Sequence, residues 1–393
     1  MTSHPPRKLR VAVLYGGRSG EHEVSLRSAS SVIRNLDPAR FEVVPIAIDK
    51  QGHWLLNDVR QIMQAAQAGE PLPVIAQAPE RSNEVMLPPA GPSGALVAVA
   101  GAGATARASG LGGGPVDVFF PVMHGPLCED GTIQGLLELA DIAYVGCGVL
   151  ASAVGMDKDM AKRVARDAGI PIVPFIALKQ GTWEKRLPEL QARIERELKF
   201  PVFVKPCNMG SSVGVHKVKE ASQLRAALED SFQYDTKVLI EQSIEAREIE
   251  LSVLENSDPN GEPRVSVVGE IAPTHEFYSY EAKYLDENGA GLLIPAPITS
   301  EQAAAAQKLA RDTFVALGCE GMARVDLFLD KRSGQFYLNE INTLPGFTQI
   351  SMYPKLWEAS GLGYSELLTE LVELAVLRHQ RKQRLSREFV AKR

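Results

Sequence analysis

Two stretches in the last third of the chain, Ala323 to Leu329 and Phe336 to Asn342, read as strands, yet charged and amide side chains interrupt them. Side chains along a strand alternate between its faces, so Arg324 and Asp326 share one face, and Glu340 and Asn342 share one face. Val325, Leu327, Leu338 and Ile341 are apolar. The pattern predicts a strand pair on which two carboxylates and an amide oxygen converge. Hard oxygen donors of this kind suit Mg²⁺, which takes few protein groups and completes its octahedron with water and phosphate oxygens. Solvated acids on a surface hairpin would use the same residue types, but would not break up strands otherwise suited to burial.

The rest of the chain alternates in the same way. Leu9 to Tyr15 is an apolar strand, Gly16 and Gly17 break it, and Ser25 to Leu36 has helical spacing. A strand at Val43 to Ile48, a helix near Val59 to Ala68, a strand at Val116 to Pro121 and a helix at Gly131 to Ala140 continue an α/β pattern that implies a parallel sheet. Pro71 to Pro115 is rich in Ala, Gly and Pro and reads as an irregular excursion with one strand at Ala95 to Ala100. From Met156 onward helices and strands form an α+β unit: helix Lys158 to Ala168, strand Val173 to Ala177, helix Trp183 to Lys199, strands Val202 to Lys205 and Val213 to Val218, helix Ala221 to Ser231 and strand Val238 to Gln242. Strands at Glu248 to Leu254 and Arg264 to Ile271 follow, then a polar, Tyr-rich loop from Thr274 to Gly291 and a helix from Ser300 to Leu317.

Composition narrows the function. A chain of 393 residues with 45% apolar side chains can bury several cores, and length alone suggests two or three domains. The net charge of -6 gives no global attraction for a polyanion, so no nucleic-acid partner is expected. Cys128, Cys147, Cys207 and Cys319 show no CxxC or Cys/His spacing, which argues against a disulfide framework or a zinc site and fits a reducing cytoplasm. No secretory apolar segment opens the chain, Val11 to Tyr15 is too short to cross a bilayer, and no membrane association is expected.

The segment Lys205-Pro206-Cys207-Asn208-Met209-Gly210-Ser211-Ser212-Val213-Gly214 ends a strand with a lysine and then supplies small residues that let backbone N–H groups approach an anion. It is either a phosphate cradle or a plain turn. It is neither GxxxxGK[ST] nor GxGxxG.

Lys205, this loop, Asp326 and Glu340-x-Asn342 occur in order and are followed by Thr343-Leu344-Pro345-Gly346. In this the sequence resembles the ATP-grasp superfamily, and within it the D-alanine:D-alanine ligases. The specific blocks are Gly16-Gly17-Arg18-Ser19-Gly20-Glu21-His22-Glu23-Val24-Ser25, His124-Gly125-Pro126-Leu127-Cys128-Glu129-Asp130-Gly131, Tyr280-Glu281-Ala282-Lys283-Tyr284 and Asn339 to Thr348. The resemblance covers nearly the whole chain except Pro71 to Pro115 and the basic tail after Leu377. It implies α/β and α+β architecture in three domains: an N-terminal parallel-sheet (pre-ATP-grasp) domain over 1–146, a central ATP-grasp subdomain over 147–241 and a C-terminal one over 242–393. ATP would lie between the last two. The tail, with Arg378, Arg381 and Lys382, is expected to be a solvated helix end rather than a nucleic-acid patch.

The resemblance also implies a reaction. One D-alanine carboxylate attacks the γ-phosphate of ATP to give an acyl phosphate, and the amine of a second D-alanine displaces phosphate, for peptidoglycan precursor synthesis. Two Mg²⁺, replaceable by Mn²⁺, would sit on Asp326, Glu340 and Asn342. Lys158, Lys205, Ser211, Ser212 and Lys283 would serve the phosphates, Glu241, Gln242 and Ile244 the adenine, and Glu248 the ribose. Ligases of this kind often carry Lys and an aromatic residue where Gln242 and Ser243 stand here. Glu23 would hold the first ammonium group, with His124 nearby as a contact or as a structural group. Arg324 and the N–H of Gly346 would stabilise the oxyanion, and Ser351 with Gly346 would take the second carboxylate. Tyr284 is expected to join Ser211 and Glu23 in a network that closes a mobile lid, Thr274 to Gly291. The enzyme would be a homodimer. Two alternatives remain open at this stage: a D-alanine:D-lactate ligase, and an ATP-binding regulatory module without catalysis.

Overall fold

The computed structural model describes residues 7–72, 84–88, 94, 96–98, 114–181, 183–273 and 290–386. The first sheet consists of β1 (Leu9–Gly16), β2 (Phe41–Ile48), β3 (Trp54–Leu56), β4 (Glu84–Met86), β5 (Val97–Ala98), β6 (Val118–Pro121) and β7 (Ala143–Tyr144), in the order β5-β4-β3-β2-β1-β6-β7. The expected parallel sheet holds for β2-β1-β6-β7. The β3-β4-β5 edge is antiparallel, so the sheet is mixed. Two of those edge strands come from the Ala/Gly/Pro-rich excursion, where strands of two or three residues are too short to show periodicity.

The second sheet is formed by β8 (Phe175–Lys179), β9 (Val202–Pro206), β10 (His216–Val218) and β11 (Lys237–Gln242), ordered β10-β9-β11-β8 and antiparallel throughout. The third is formed by β12 (Ala246–Leu254), β13 (Arg264–Val265), β14 (Gly269–Pro273), β15 (Ala290–Leu293), β16 (Met322–Asp330) and β17 (Phe336–Asn342). The single strand expected over Arg264 to Ile271 is broken in two, because the Ser266 side chain, not a strand backbone, accepts the Ser252 N–H.

The helices are α1 (His22–Asn35), α2 (Val59–Ala68), α3 (Thr132–Leu139), α4 (Val149–Met156), α5 (Lys158–Asp167), α6 (Leu187–Glu197), α7 (Leu224–Ser231), α8 (Ser300–Ala316), α9 (Met352–Ala359) and α10 (Tyr364–Gln383). The hydrophobic cores do not follow consecutive ranges of sequence. Ala151 of α4 with Ala161 and Ala165 of α5 packs with Ile249, Val325 and Leu338 of the third sheet. Leu367, Leu368, Leu371, Val372 and Leu374 of α10 join the core of the first sheet with Val11, Val13 and Phe120. Each such leucine or valine contributes roughly 1.5–3 kcal/mol by leaving water.

The expected solvated tail is therefore corrected over its first residues. Arg378 is buried, donates to the Gly146 and Tyr144 carbonyls at 2.5 and 2.6 Å, and lies 4.3 Å over the Tyr144 ring. Arg381 reaches Glu255 at 2.8 Å, and Lys382 pairs with Glu138. These cations tie the last helix to the first and third sheets.

Candidate active site

The site begins with the polar face of the third sheet. Opposite residues on adjacent strands present side chains to the same face, and the register pairs Arg324 with Asn342 and Asp326 with Glu340. A register shift follows, Leu327 pairing with Leu338, which leaves Asn339 as the extra residue of a bulge. All four polar residues converge as the alternation predicts. Arg324 holds Asp326 in a two-point contact, Nε and Nη2 each 2.7 Å from a carboxylate oxygen, and Asn342 Nδ2 donates to the same Asp326 at 3.1 Å. Burial opposes the guanidinium charge, but the Asp326 and Glu250 carboxylates outweigh it and hold Arg324 well above its ordinary value. Among the described residues no cluster of three or more His, Cys, Asp and Glu is arranged to hold a metal. Two carboxylates and one amide oxygen, from Asp326, Glu340 and Asn342, are a donor set that fits a small hard cation, which completes its shell with water and phosphate oxygens.

Facing this row is a set of lysines. Asp157 caps α5 by accepting from the N–H groups of Asp159 and Met160, which makes Lys158 the first helical residue, its own N–H bonded to the Cys207 carbonyl at 3.1 Å. Its ammonium donates to Met209 O at 2.8 Å and lies 3.2 Å from Glu340. Burial works against that charge, and Glu340 more than compensates, raising the Lys158 pKa. Lys158 thus links the Gly/Ser loop to the metal strand.

Lys205, at the end of β9, donates to Glu241 Oε2 at 2.6 Å and lies within 6 Å of the rings of Phe203 and Phe328, one on each sheet. The other Glu241 oxygen is 2.6 Å from Lys162, whose ammonium also donates to Leu338 O at 3.1 Å. Lys162 and Glu241 are each only 1% exposed. Burial pulls the Lys162 pKa down; burial would raise that of Glu241, but the two lysines bring it below the usual range. The Glu241 carboxylate is thereby committed to lysines, so that of Glu241 only the backbone is left for a further contact. Lys162 escaped the sequence reading, although its position four residues after Lys158 puts both on one helix face.

The expected partner of Ser211 needs correction. Ser211 donates its hydroxyl to Glu21, not to Glu23. Glu21 precedes the first turn of α1, and two residues along a helix turn a side chain to a different face. Glu23 therefore points outward, its side chain 61% exposed and paired with Lys50 at 2.8 Å. Glu21 instead lies where three segments meet. Its Oε2 is 3.0 Å from where a Cβ on Gly125 would stand and 3.3 Å from the equivalent point on Gly210. Gly125, at φ 78°, sits where an L side chain would be strained, and a Cβ at either glycine would crowd the Glu21 carboxylate. Ser211 and Ser212 both adopt left-handed backbone, φ 53° and 59°, which turns the loop back on itself before β10.

His124 is buried, with Nε2 3.2 Å from Ser28 Oγ and Nδ1 3.8 Å from Glu129. Ser28 Oγ accepts in turn from the Phe347 N–H at 3.4 Å, which joins the His124 block to the Gly346 turn. Burial favours the neutral ring, but Glu129 raises the His124 pKa, while burial raises that of Glu129. Ser351, the N-cap of α9, accepts from Thr348 N at 3.0 Å and lies against Gly346. Glu248 stands on β12 opposite Phe328 and Ile271. Glu250, two residues on and on the same face, was not anticipated; it lies 3.0 Å from Arg324 Nε. Lys283, Tyr284 and the body of the expected lid lie outside the described residues, while Pro273 and Ala290, at its two ends, are paired across β14 and β15.

Residues 10–147 match the family described as D-ala D-ala ligase N-terminus, and residues 164–373 the one described as D-ala D-ala ligase C-terminus. The D-alanine--D-alanine ligase A of Bradyrhizobium diazoefficiens is 54% identical over 387 residues, covering 98% of this chain and 99% of the relative. The D-alanine--D-alanine ligase of Legionella pneumophila (strain Lens) is 44% identical over 389 residues, 98% of this chain and 100% of that one. Among solved structures, the D-alanine-D-alanine ligase from Coxiella burnetii superposes with a TM-score of 0.72 at 34% identity, covering 96% of each chain. A D-Ala:D-Ser ligase from Enterococcus faecalis gives 0.77 at 34% identity, over 94% of this chain and 100% of that one. The mixed first sheet and two following antiparallel sheets, the metal-compatible row, and both family matches lead to one assignment: the chain belongs to the D-alanine–D-alanine ligase family.

Proposed function

We propose that this protein joins two D-alanines to D-alanyl-D-alanine at the expense of ATP, for peptidoglycan synthesis. One observation carries the reading: Lys158 on α5 lies 3.2 Å from Glu340 of the polar row, and Lys205 on the second sheet reaches Phe328 on the strand that carries Arg324 and Asp326. That arrangement would bring cations for a polyphosphate near oxygens for its metal. Divalent metal held by Asp326, Glu340 and Asn342, as two Mg²⁺ or as Mn²⁺, would neutralise phosphate charge.

The protein's own groups do the rest. Lys158, Lys205, Ser211 and Ser212 cradle phosphate, and Glu248 takes the ribose. Glu21 supplies the anion for the first D-alanine's ammonium group, so that the carboxylate oxygen of that D-alanine can attack the γ-phosphorus as ADP leaves. The second amine, once deprotonated, attacks the resulting carbonyl carbon and phosphate departs. Arg324 and the Gly346 N–H meet the developing oxyanion, and Ser351 the second carboxylate. Lys283 and Tyr284 are assigned from the sequence pattern alone, to the γ-phosphate and to Ser211. We also propose a homodimer in the cytoplasm, in keeping with four cysteines that are all buried free thiols. The units 1–146, 147–241 and 242–393 stand as proposed domains, with α4, α5 and α10 packing across them.

Phosphate release from ATP, measured with and without D-alanine and with the product identified by chromatography, tests this reading. Release that needs D-alanine and yields the dipeptide is expected. Release indifferent to D-alanine, or none, would point to a binding module. D-lactate and D-serine offered in competition test the acceptor; preference for either would replace the second D-alanine in the assignment.

A further inference from the structure

The Arg324 guanidinium has two carboxylates within ion-pair distance, one hydrogen-bonded to it and one not, and only the first belongs to the proposed metal row. Asp326, on the same strand, takes Nε and Nη2 at 2.7 Å each. Glu250, on the neighbouring β12, lies 3.0 Å from Nε. In register Glu250 stands opposite Asp326, and Asp326 opposite Glu340, so the three carboxylates form one row across three strands. β12 and β17 flank β16 on opposite sides. Glu250 is thus separated from Glu340 and Asn342 by the whole width of β16. The three carboxylates do not close into a metal-holding trio, which separates Glu250 from the cation ligands.

Both oxygens of Asp326 accept from Arg324, and one also accepts from Asn342. A divalent ion held by Asp326 would compete for those lone pairs and repel the adjacent guanidinium. The contact that fixes Arg324 would therefore be weakened when catalysis requires it to be fixed. Ser252, directly opposite Arg324, is no substitute for a carboxylate, since it offers only a neutral oxygen, and its hydroxyl donates to the Tyr353 carbonyl at 3.1 Å. Glu250 can take over. Its side chain is 14% exposed and that of Arg324 is 21% exposed, so water screens the pair little.

We propose that Glu250 is a positioning residue, the carboxylate that holds Arg324 in place when Asp326 is engaged by the cation. The inference rests on the proposed reading of Asp326 as a metal ligand and Arg324 as the oxyanion partner. Glu250 works through Arg324 and touches neither metal nor substrate.

The test compares Glu250→Gln, Glu250→Asp, Asp326→Asn and Arg324→Lys in the full chain. Mn²⁺ binding in the presence of a non-hydrolysable ATP analogue, followed by electron paramagnetic resonance, reads the metal site without turnover. Glu250→Gln is expected to keep Mn²⁺ affinity within about twofold while lowering kcat roughly 10–100-fold, the range seen when groups orienting a site are removed. KM for ATP should hardly move, and Glu250→Asp, which keeps the charge, should recover part of the loss. In the Arg324→Lys background Glu250→Gln should cost less than about twofold more, because both changes remove one interaction. Loss of Mn²⁺ affinity in Glu250→Gln as severe as in Asp326→Asn would make Glu250 a metal ligand and overturn the proposal. So would additive losses in the double variant, or normal turnover of Glu250→Gln. Undiminished Mn²⁺ binding by Asp326→Asn would instead overturn the reading of the metal row on which the inference stands.

Discussion

Replacing Lys162 by methionine removes one ammonium from a carboxylate that has lost nearly all contact with water. The Lys162 and Glu241 side chains are each 2% exposed and 2.6 Å apart, and Lys205 holds the other oxygen at the same distance. Coulomb attraction over that separation is about 6 kcal/mol at an effective dielectric of 20. Desolvation of the two charges offsets much of this, but the variant still has to keep Glu241 buried. Breaking a buried pair by removing one partner therefore costs roughly 3–5 kcal/mol. Lys205→Met leaves the more buried Lys162 contact intact and removes a side chain that is 13% exposed. It should cost less stability and raise KM for ATP more. Hydrogen exchange at the β11 amides reads the local opening energy directly, without assuming that a chain of several cores unfolds in one step. Lys162→Met combined with Glu241→Gln should recover most of the loss, because no charge is then stranded. Protection in Lys162→Met within about 1 kcal/mol of the parent, well below the cost of an uncompensated buried charge, would refute the argument.

Other variants test the remaining assignments. Glu21→Gln should reduce dipeptide synthesis roughly 10- to 150-fold, the equivalent of about 1.5–3 kcal/mol for a charged hydrogen bond, whereas Glu23→Gln, on an exposed pair, should stay within about twofold; steady-state rates that reverse this order would restore Glu23 to the site. Asp326→Asn and Glu340→Gln should abolish ligation while leaving circular dichroism unchanged, and near-normal turnover at saturating magnesium would remove them from the metal row. Arg378→Leu loses two charge-assisted bonds to carbonyls and should destabilise the docking of α10 by roughly 3 kcal/mol, visible as earlier cleavage of the C-terminal helix in limited proteolysis; an unchanged cleavage pattern would count against that anchoring role.

The convergence of Arg324, Asp326, Glu340 and Asn342 was legible because strand alternation is strict and polar residues stand out against apolar neighbours; it needed no tertiary information beyond the pairing of β16 with β17. Lys205 was singled out by its Gly/Ser block and Lys158 by the family resemblance. Glu23 was expected as the partner of Ser211 because Glu21 and Glu23 lie in one block, and only the onset of α1 at His22 decides that Glu21 turns towards the serine. Lys162 and Glu250 were invisible for a different reason. Each is defined by a partner distant in sequence, Lys162 by Glu241 and Glu250 by Arg324, and one sequence does not reveal which distant charges meet. The antiparallel edge of the first sheet was hidden in a stretch with little hydrophobic period.

The docking of α10 on the first sheet has a consequence for synthesis. The strands of that sheet leave the ribosome first, but the bond from Arg378 to Gly146 spans 232 residues. At 5–20 residues per second the earlier partner waits roughly 12–46 s for the later one. During that interval the surface later covered by Leu367, Leu371 and Leu374 is exposed to the cell. A nascent chain halted before Tyr364 should therefore hold chaperone on its N-terminal third, and release it only when the last helix arrives.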